Sequence, residues 1–270
     1  LKSRICEILG IEYPFLLAGM GGASVPALAA AVSNAGGLGV LGAAACSADQ
    51  LRRWIRQTRE MTDKPFGVDT LLPASVRRGS APQSGGAPDN PMALLGEYQQ
   101  FTRDFMEREN LPAIDMEMAM RAAGAPEMGT GGPQLFTSEF FEAQMEVIIE
   151  EKVPVYAAGL GNPEPWMDRL HANGTKVMAV IGKVKHARQV VDSGIDMIVA
   201  QGHDGGGHNS PIGTLSLIPQ VVDAVGDRVP VIGAGGISDG RGVAAAMMLG
   251  AEGAWIGTAF LATDEAGIEQ

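Results

Sequence analysis

Between Met197 and Phe260 the chain repeats one short pattern three times, and that pattern restricts what it can fold into more than any other feature. The stretch reads M-I-V-A-Q-G-H-D-G-G-G-H-N-S, then V-P-V-I-G-A-G-G-I-S-D-G-R-G, then A-W-I-G-T-A-F, with helix-like segments between. Each unit is an apolar run of strand length that ends in glycines and small polar residues. Parallel strands joined by helices place all their C-terminal ends at one end of the sheet, so these glycine-rich loops converge. Glycine lets the backbone approach a ligand closely and offer N–H groups to an anion. The leading expectation is a phosphate-bearing cofactor held by Gly235, Gly236, Gly257 and Thr258, with the imidazole of His208 nearby.

The same rhythm opens the chain. Pro14 to Ala18 reads as a first strand, Pro26 starts a helix that runs to Asn34, and Leu38 to Leu41 is a second strand. Ser47 is placed to cap an amphipathic helix to Thr62, and Pro65 to Leu71 is a third strand. From Pro73 to about Pro133 the rhythm fails. A loop rich in Gly, Ser, Pro and Asn fills Ser80 to Pro91, a helix candidate spans Met92 to Asn110, and a Met-rich acidic piece spans Ile114 to Met128. An interruption of that size is expected to be a lid, an oligomer contact or a mobile segment. Regularity then returns, with a helix from Ser138 to Glu151 and strands at Val153 to Ala157, Lys176 to Ile181 and Met197 to Ala200. Several helices end alike, in Asn34-Ala-Gly, Asn173-Gly, Ser193-Gly and Leu249-Gly, which is the turn from helix to buried strand in a repeating unit.

The strands number about eight, and a (β/α)8 TIM barrel closes them most economically, with a doubly wound open sheet as the rival. The expected organisation is a single domain over residues 1–270 with an insertion or lid at 73–133. A content of 46% hydrophobic and 19% charged residues sustains a sizeable core. The net charge of -11 would repel nucleic acid and anionic membranes, and both are set aside as partners. Cys6 and Cys46 form no paired pattern, which fits a reducing compartment, and a cytoplasmic location is the default expectation.

Gly37 to Gly42 matches G-x-G-x-x-G in letters only, because the run follows a helix and contains the strand, the reverse of a dinucleotide site. Gly205-Gly206-Gly207-His208 is more specific. Its glycines leave no side chain between the strand end and the histidine, so a flat group could lie there under the imidazole, which titrates near neutral pH. His203, Asp204 and His208 lack a third strong ligand at zinc spacing, so no metal is expected. His171 and His186 fall on helical stretches and are expected to be exposed. Asp69, at the end of the third strand, faces the same end of the barrel, where it could accept a hydrogen bond from a ligand or cap the next loop. Ala18 to Gly22 is a further close-approach loop, with Met20 against a ring or in the core.

Taken together, A-G-M-G-G, N-A-G-G-L-G, F-G-V-D, Q-G-H-D-G-G-G-H, L-I-P-Q-V-V-D-A-V, A-G-G-I-S-D-G-R-G and G-T-A-F-L-A-T resemble the nitronate monooxygenase family, formerly 2-nitropropane dioxygenases. That family also holds flavin-dependent enoyl-thioester and quinone reductases. The resemblance covers nearly the whole chain outside the interruption, and it implies an FMN-binding barrel. It implies Ala18, Gly19, Met20 and Asp69 around the isoalloxazine, Gln201 and Gly206 on the cofactor, and Gly235, Gly236, Gly257 and Thr258 on the phosphate. It makes His208 the acid/base. The family usually has Asn where Asp69 stands, and Glu-Ala or Glu-Ser where Asp204-Gly205 stand. The interruption, longer than in compact members, is expected over the mouth of the site, and the family's habit of dimerising suggests a homodimer by analogy.

Oxidation of alkyl nitronates by FMN and O2 is the first functional expectation. NAD(P)H-driven reduction of an enoyl thioester (acyl-ACP or acyl-CoA) or a quinone is the second. A flavin-free, phosphate-binding barrel isomerase or lyase is the rival of another class, and a non-catalytic flavin-binding scaffold is the last.

Overall fold

The computed structural model describes residues 2–72, 91–111, 137–208 and 210–268. Eight parallel strands form one sheet: β1 (Phe15–Leu17), β2 (Gly39–Gly42), β3 (Phe66–Leu71), β4 (Val155–Leu160), β5 (Lys176–Ile181), β6 (Met197–Gln201), β7 (Val231–Ala234) and β8 (Gly253–Ile256). The order β1-β8-β7-β6-β5-β4-β3-β2 returns to its start through a parallel bridge between Leu16 and Leu38, so the sheet is a barrel. The helices are α1 (Arg4–Leu9), α2 (Pro26–Asn34), α3 (Ala48–Met61), α4 (Pro91–Arg108), α5 (Ser138–Glu150), α6 (Met167–Ala172), α7 (Val184–Asp192), α8 (Thr214–Val225) and α9 (Gly240–Met248). This is the (β/α)8 TIM barrel that the repeating pattern led us to expect.

Two-residue periodicity divides the strands into two packed faces. Met178, Met197, Val199, Ile232 and Trp255 point into the barrel and pack with one another. Val177, Ala179, Ile198, Ala200 and Val231 point outward against the helices. The expected helix-to-strand turns have the backbone that demands glycine: Gly36, Gly174, Gly194 and Gly250 have φ of 92°, 79°, 87° and 96°.

Helix α1 was not expected from the sequence. It is short, and the side chain of its N-cap, Ser3, makes no capping hydrogen bond to the helix backbone, so no local signal announced it. Ile5 and Leu9 join the barrel interior, while Arg4 pairs with Glu252 and donates to the Gly226 carbonyl at 2.7 Å. Both partners precede strands, so α1 closes the N-terminal end and leaves the opposite end for chemistry.

Within the interruption, α4 takes the place of the helix expected over Met92 to Asn110. The preceding loop from Ser80 and the Met-rich piece from Ile114 to Met128 lie outside the described residues. Among the described residues no helix is long and apolar enough to cross a membrane.

Close contact between β2 and α2 gives a direct test of the packing. A Cβ on Gly39 would stand 1.7 Å from the Ala29 carbonyl oxygen, a backbone atom that cannot swing aside, whereas one on Gly21 would meet nothing within 4 Å. Gly39→Ala is expected to lower stability by about 3 kcal/mol, read as a lower urea midpoint, and Gly21→Ala by far less. Equal midpoints for the two variants would contradict this packing.

Candidate functional site

The C-terminal ends of the strands are bound to one another through loops that carry almost no side-chain bulk. The Ala18 N–H donates to the Ile256 carbonyl at 2.8 Å, joining the β1 loop to β8. Buried Ser24 then folds that loop back: its hydroxyl donates to the Ala18 carbonyl at 2.8 Å and accepts from the Met20 N–H at 3.1 Å. A Cβ on Gly257 would lie 3.3 Å from Met20 Sδ and 3.4 Å from Ala18 Cβ, so the β8 loop rests directly on the β1 loop. Thr258 begins a short 3-10 turn, Thr258–Ala262.

Asp69 stands where β1, β3 and β4 meet. A Cβ on Gly19 would fall 2.3 Å from Asp69 Cβ, and one on Gly159 would fall 2.5 Å from Asp69 Oδ1, so only glycine fits on either side. The residue is 9% exposed. Burial pushes its carboxyl well above the usual carboxylate range, and the Gly159 N–H opposes this only in part.

On the other side of the barrel, Gln201 shapes the glycine loop. Its Nε2 donates to the Gly206 carbonyl at 3.2 Å and to the His208 carbonyl at 3.4 Å, drawing that loop over the end of β6. Asp204 accepts from the Thr214 N–H at 2.8 Å and so caps α8, a contact that holds its carboxyl below the usual range. Gly235 and Gly236 have φ of 103° and 70°, and a Cβ on Gly235 would meet Thr214 Oγ1 at 2.6 Å. Since Ala234 pairs with Trp255, the β7 and β8 loops lie side by side.

Two cavities open at this end. The larger, about 1180 Å³, runs from Gln201, His208 and Ser210 past Gly159 to Trp166 and Lys183. The smaller, about 330 Å³, lies between α8 and α9 and includes Gly235 and Gly236 with Asp204 and Thr214. Of the residues singled out in the sequence, Gln201 and His208 thus line the large cavity and Gly235 and Gly236 the small one. Ala18, Gly19, Met20, Asp69, Gly206, Gly257 and Thr258 are on the rim and line neither. His208 is exposed.

His186, expected to be exposed, is half-buried on α7 and lines the large cavity. Burial first, then Lys185 and Lys183, push its pKa below the usual histidine value, which favours a neutral imidazole at neutral pH. His171 is exposed as expected and lies 3.1 Å from Asp196. Lys183, Trp166 and Glu142 also line the cavity and were missed in the sequence. A signal for Lys183 was there: Gly182 follows β5 as other glycines follow other strands, and its Cβ would strike Ser210 Cβ at 2.4 Å. Among the described residues, no group of three or more His, Cys, Asp and Glu is placed to hold a metal ion.

Comparison with known proteins follows the same lines. The model of a family described as nitronate monooxygenase matches residues 2–270. A "Probable nitronate monooxygenase" of Staphylococcus saprophyticus is 34% identical over 282 residues, covering 100% of this chain and 71% of that protein. The structure of FabK from Thermotoga maritima aligns with a TM-score of 0.71 at 35% identity, covering 98% of this chain and 64% of that one. A nitroalkane oxidase from Streptomyces ansochromogenes aligns with a TM-score of 0.72 at 32% identity, covering 98% of this chain and 70% of that one. The chain therefore spans about two thirds of the length of these proteins.

The buried carboxyl makes stability depend on pH in a defined direction. Asp69 has a higher pKa folded than unfolded, so its contribution is full below the unfolded carboxylate value and is lost as pH rises through the folded one. Asp69→Asn has no such proton to lose. Urea unfolding between about pH 5 and pH 9 is expected to show the unaltered chain losing stability relative to the variant on the alkaline side. A constant difference across that range would contradict the buried acid.

Proposed function

This chain belongs to the nitronate monooxygenase family, a family of oxidoreductases, and we propose that it is an FMN-dependent enzyme that oxidises alkyl nitronates with O2. The observation that carries the reading is the position of His208, on the wall of a large cavity and one glycine loop away from the β7 and β8 ends.

The rim suits a phosphorylated flavin. Gly235 and Gly236 adopt a left-handed backbone that favours glycine, beside the Gly257-Thr258 turn, and backbone N–H groups at such a junction suit a phosphate. Ala18, Gly19 and Met20 border the same turn, and Gln201 and Gly206 form the opposite rim, so these residues would hold the ring system, with Asp69 beneath Gly19. FMN, when bound, supplies an electron acceptor that O2 reoxidises. The protein's own part is acid/base work and positioning. His208 Nδ1 or Nε2 takes the proton from a nitroalkane carbon, or binds the nitronate oxygens when the anion arrives ready formed. Gln201, bonded to the His208 carbonyl, holds the histidine's loop against the strand end.

The cavity's size supports a second reading. About 1180 Å³ exceeds the roughly 300–1,000 Å³ of most small-molecule sites, which suits a bulky enoyl thioester or quinone reduced at the expense of NAD(P)H. His208 would then assist carbonyl binding or protonation.

Anaerobic mixing separates the two. Bleaching of the flavin by propionate 3-nitronate and not by NADH or NADPH is expected; bleaching by the nicotinamide alone would overturn the nitronate reading in favour of the reductase. His208→Ala is expected to keep the flavin and lose on the order of 10² to 10⁴ in turnover, and unchanged turnover would remove the histidine from the chemistry. Gly257→Asp is expected to expel the flavin through charge and clash with the phosphate. A variant that remains fully yellow would contradict the placement of the phosphate.

A further inference from the structure

We infer that Asp69 meets the cofactor as an uncharged acid, donating its O–H to an acceptor on the flavin ring, and that its ionisation is what limits cofactor retention at alkaline pH. The inference rests on the flavin reading above, but its grounds are the surroundings of one carboxyl group.

Among the described residues no countercharge is available to it. From β1 it meets Gly19, and from β4 it meets Gly159 and the titratable Tyr156, whose hydroxyl is 3.0 Å from the hydroxyl of Thr70 on β3 itself. Among the described residues no Lys, Arg or His bears on its charge, and no other carboxyl does. The glycine backbones on both sides leave no space for a hydration shell, since a single added carbon would fall 2.3 Å from Asp69 on one side and 2.5 Å on the other. A carboxyl enclosed in this way relieves the cost of burial by holding its proton.

A neutral acid differs from a carboxylate in having a donor. The Gly159 N–H serves as donor to Asp69, and that contact supplies no acceptor for the acid's own O–H. The side chain is not wholly sealed, being 9% exposed, so its O–H is open to an acceptor that a ligand brings. The side chain lies beneath the Gly19-Met20 loop, which borders the proposed flavin site, so a ring nitrogen or carbonyl oxygen is the acceptor that chemistry calls for. An ionised Asp69 would instead turn a negative charge on those same acceptors.

The test is equilibrium binding of FMN to the apoprotein, followed by flavin fluorescence between about pH 6 and pH 9, for the unaltered chain and for Asp69→Asn. Where only the protonated form is competent, the apparent Kd rises about tenfold per pH unit above the Asp69 pKa. The flavin phosphate titrates equally in both series and cancels in their ratio. A ratio of the Kd of the unaltered chain to that of Asp69→Asn that rises with pH supports the inference; parallel profiles overturn it. An independent reading is the infrared carbonyl band of a protonated carboxylic acid in the unaltered apoprotein at neutral pH. Its presence, and its loss as pH rises, support the inference even where Asp69→Asn does not fold, and its absence overturns it. FMN binding at no pH would defeat the flavin reading itself, and the infrared band would still decide the state of Asp69.

Discussion

The active end of this barrel depends on glycine backbone set directly against the side chains of neighbouring strand ends. Gly19 and Gly159 close on Asp69, Gly235 on Thr214, Gly182 on Ser210, and Gly257 on Met20 and Ala18. At Gly19, Gly159, Gly235 and Gly182 an added carbon would fall within 2.3 to 2.6 Å of its neighbour, so these contacts tie adjoining strand ends together at a distance that a larger residue would disturb. The result is a rim of glycine-rich loops whose backbone can come close to a ligand and offer it N–H groups, which is what binding an anion or a flat ring requires. The opposite end is closed by α1, with Ile5 and Leu9 packed into the interior. Chemistry is therefore confined to one face by the same packing that stabilises the sheet.

That face divides into two sectors. The ends of β7, β8 and β1 are crowded and glycine-lined, whereas the ends of β4, β5 and β6 open into the large cavity. In the proposed function the first sector holds cofactor and the second admits substrate, with the Gln201–His208 loop on the boundary. Asp204 has a supporting part there: by capping α8 it fixes the segment on which Gly235 rests.

Much of this was legible in the chain. The Asn-Gly and Ser-Gly helix endings announced the left-handed turns at Gly174 and Gly194, and the strand runs foretold the eight strands of the barrel, with β4 displaced from the expected Val153 to Ala157 to Val155–Leu160. The glycines after β6, β7 and β8 marked the correct end of the sheet. Other features could not be read locally. Helix α1 is brief and has no side-chain cap, so its stability comes from tertiary packing of Ile5 and Leu9. The half-burial of His186 and the cavity around Lys183 follow from how β4, β5 and β6 splay their loops, a property of the assembled barrel. The state of Asp69 depends on Gly19 and Gly159, each on another strand unit, so its letter alone pointed only to an acceptor or a cap.

The central claim is that this rim holds a flavin by its phosphate. Titration calorimetry of the apoprotein with FMN and with riboflavin tests it most directly, because the two ligands share the ring and differ in the phosphate. The account predicts that FMN binds tighter than riboflavin by at least about tenfold, a difference of roughly 1.4 kcal/mol. Equal affinity for the two, or binding of neither, would contradict it.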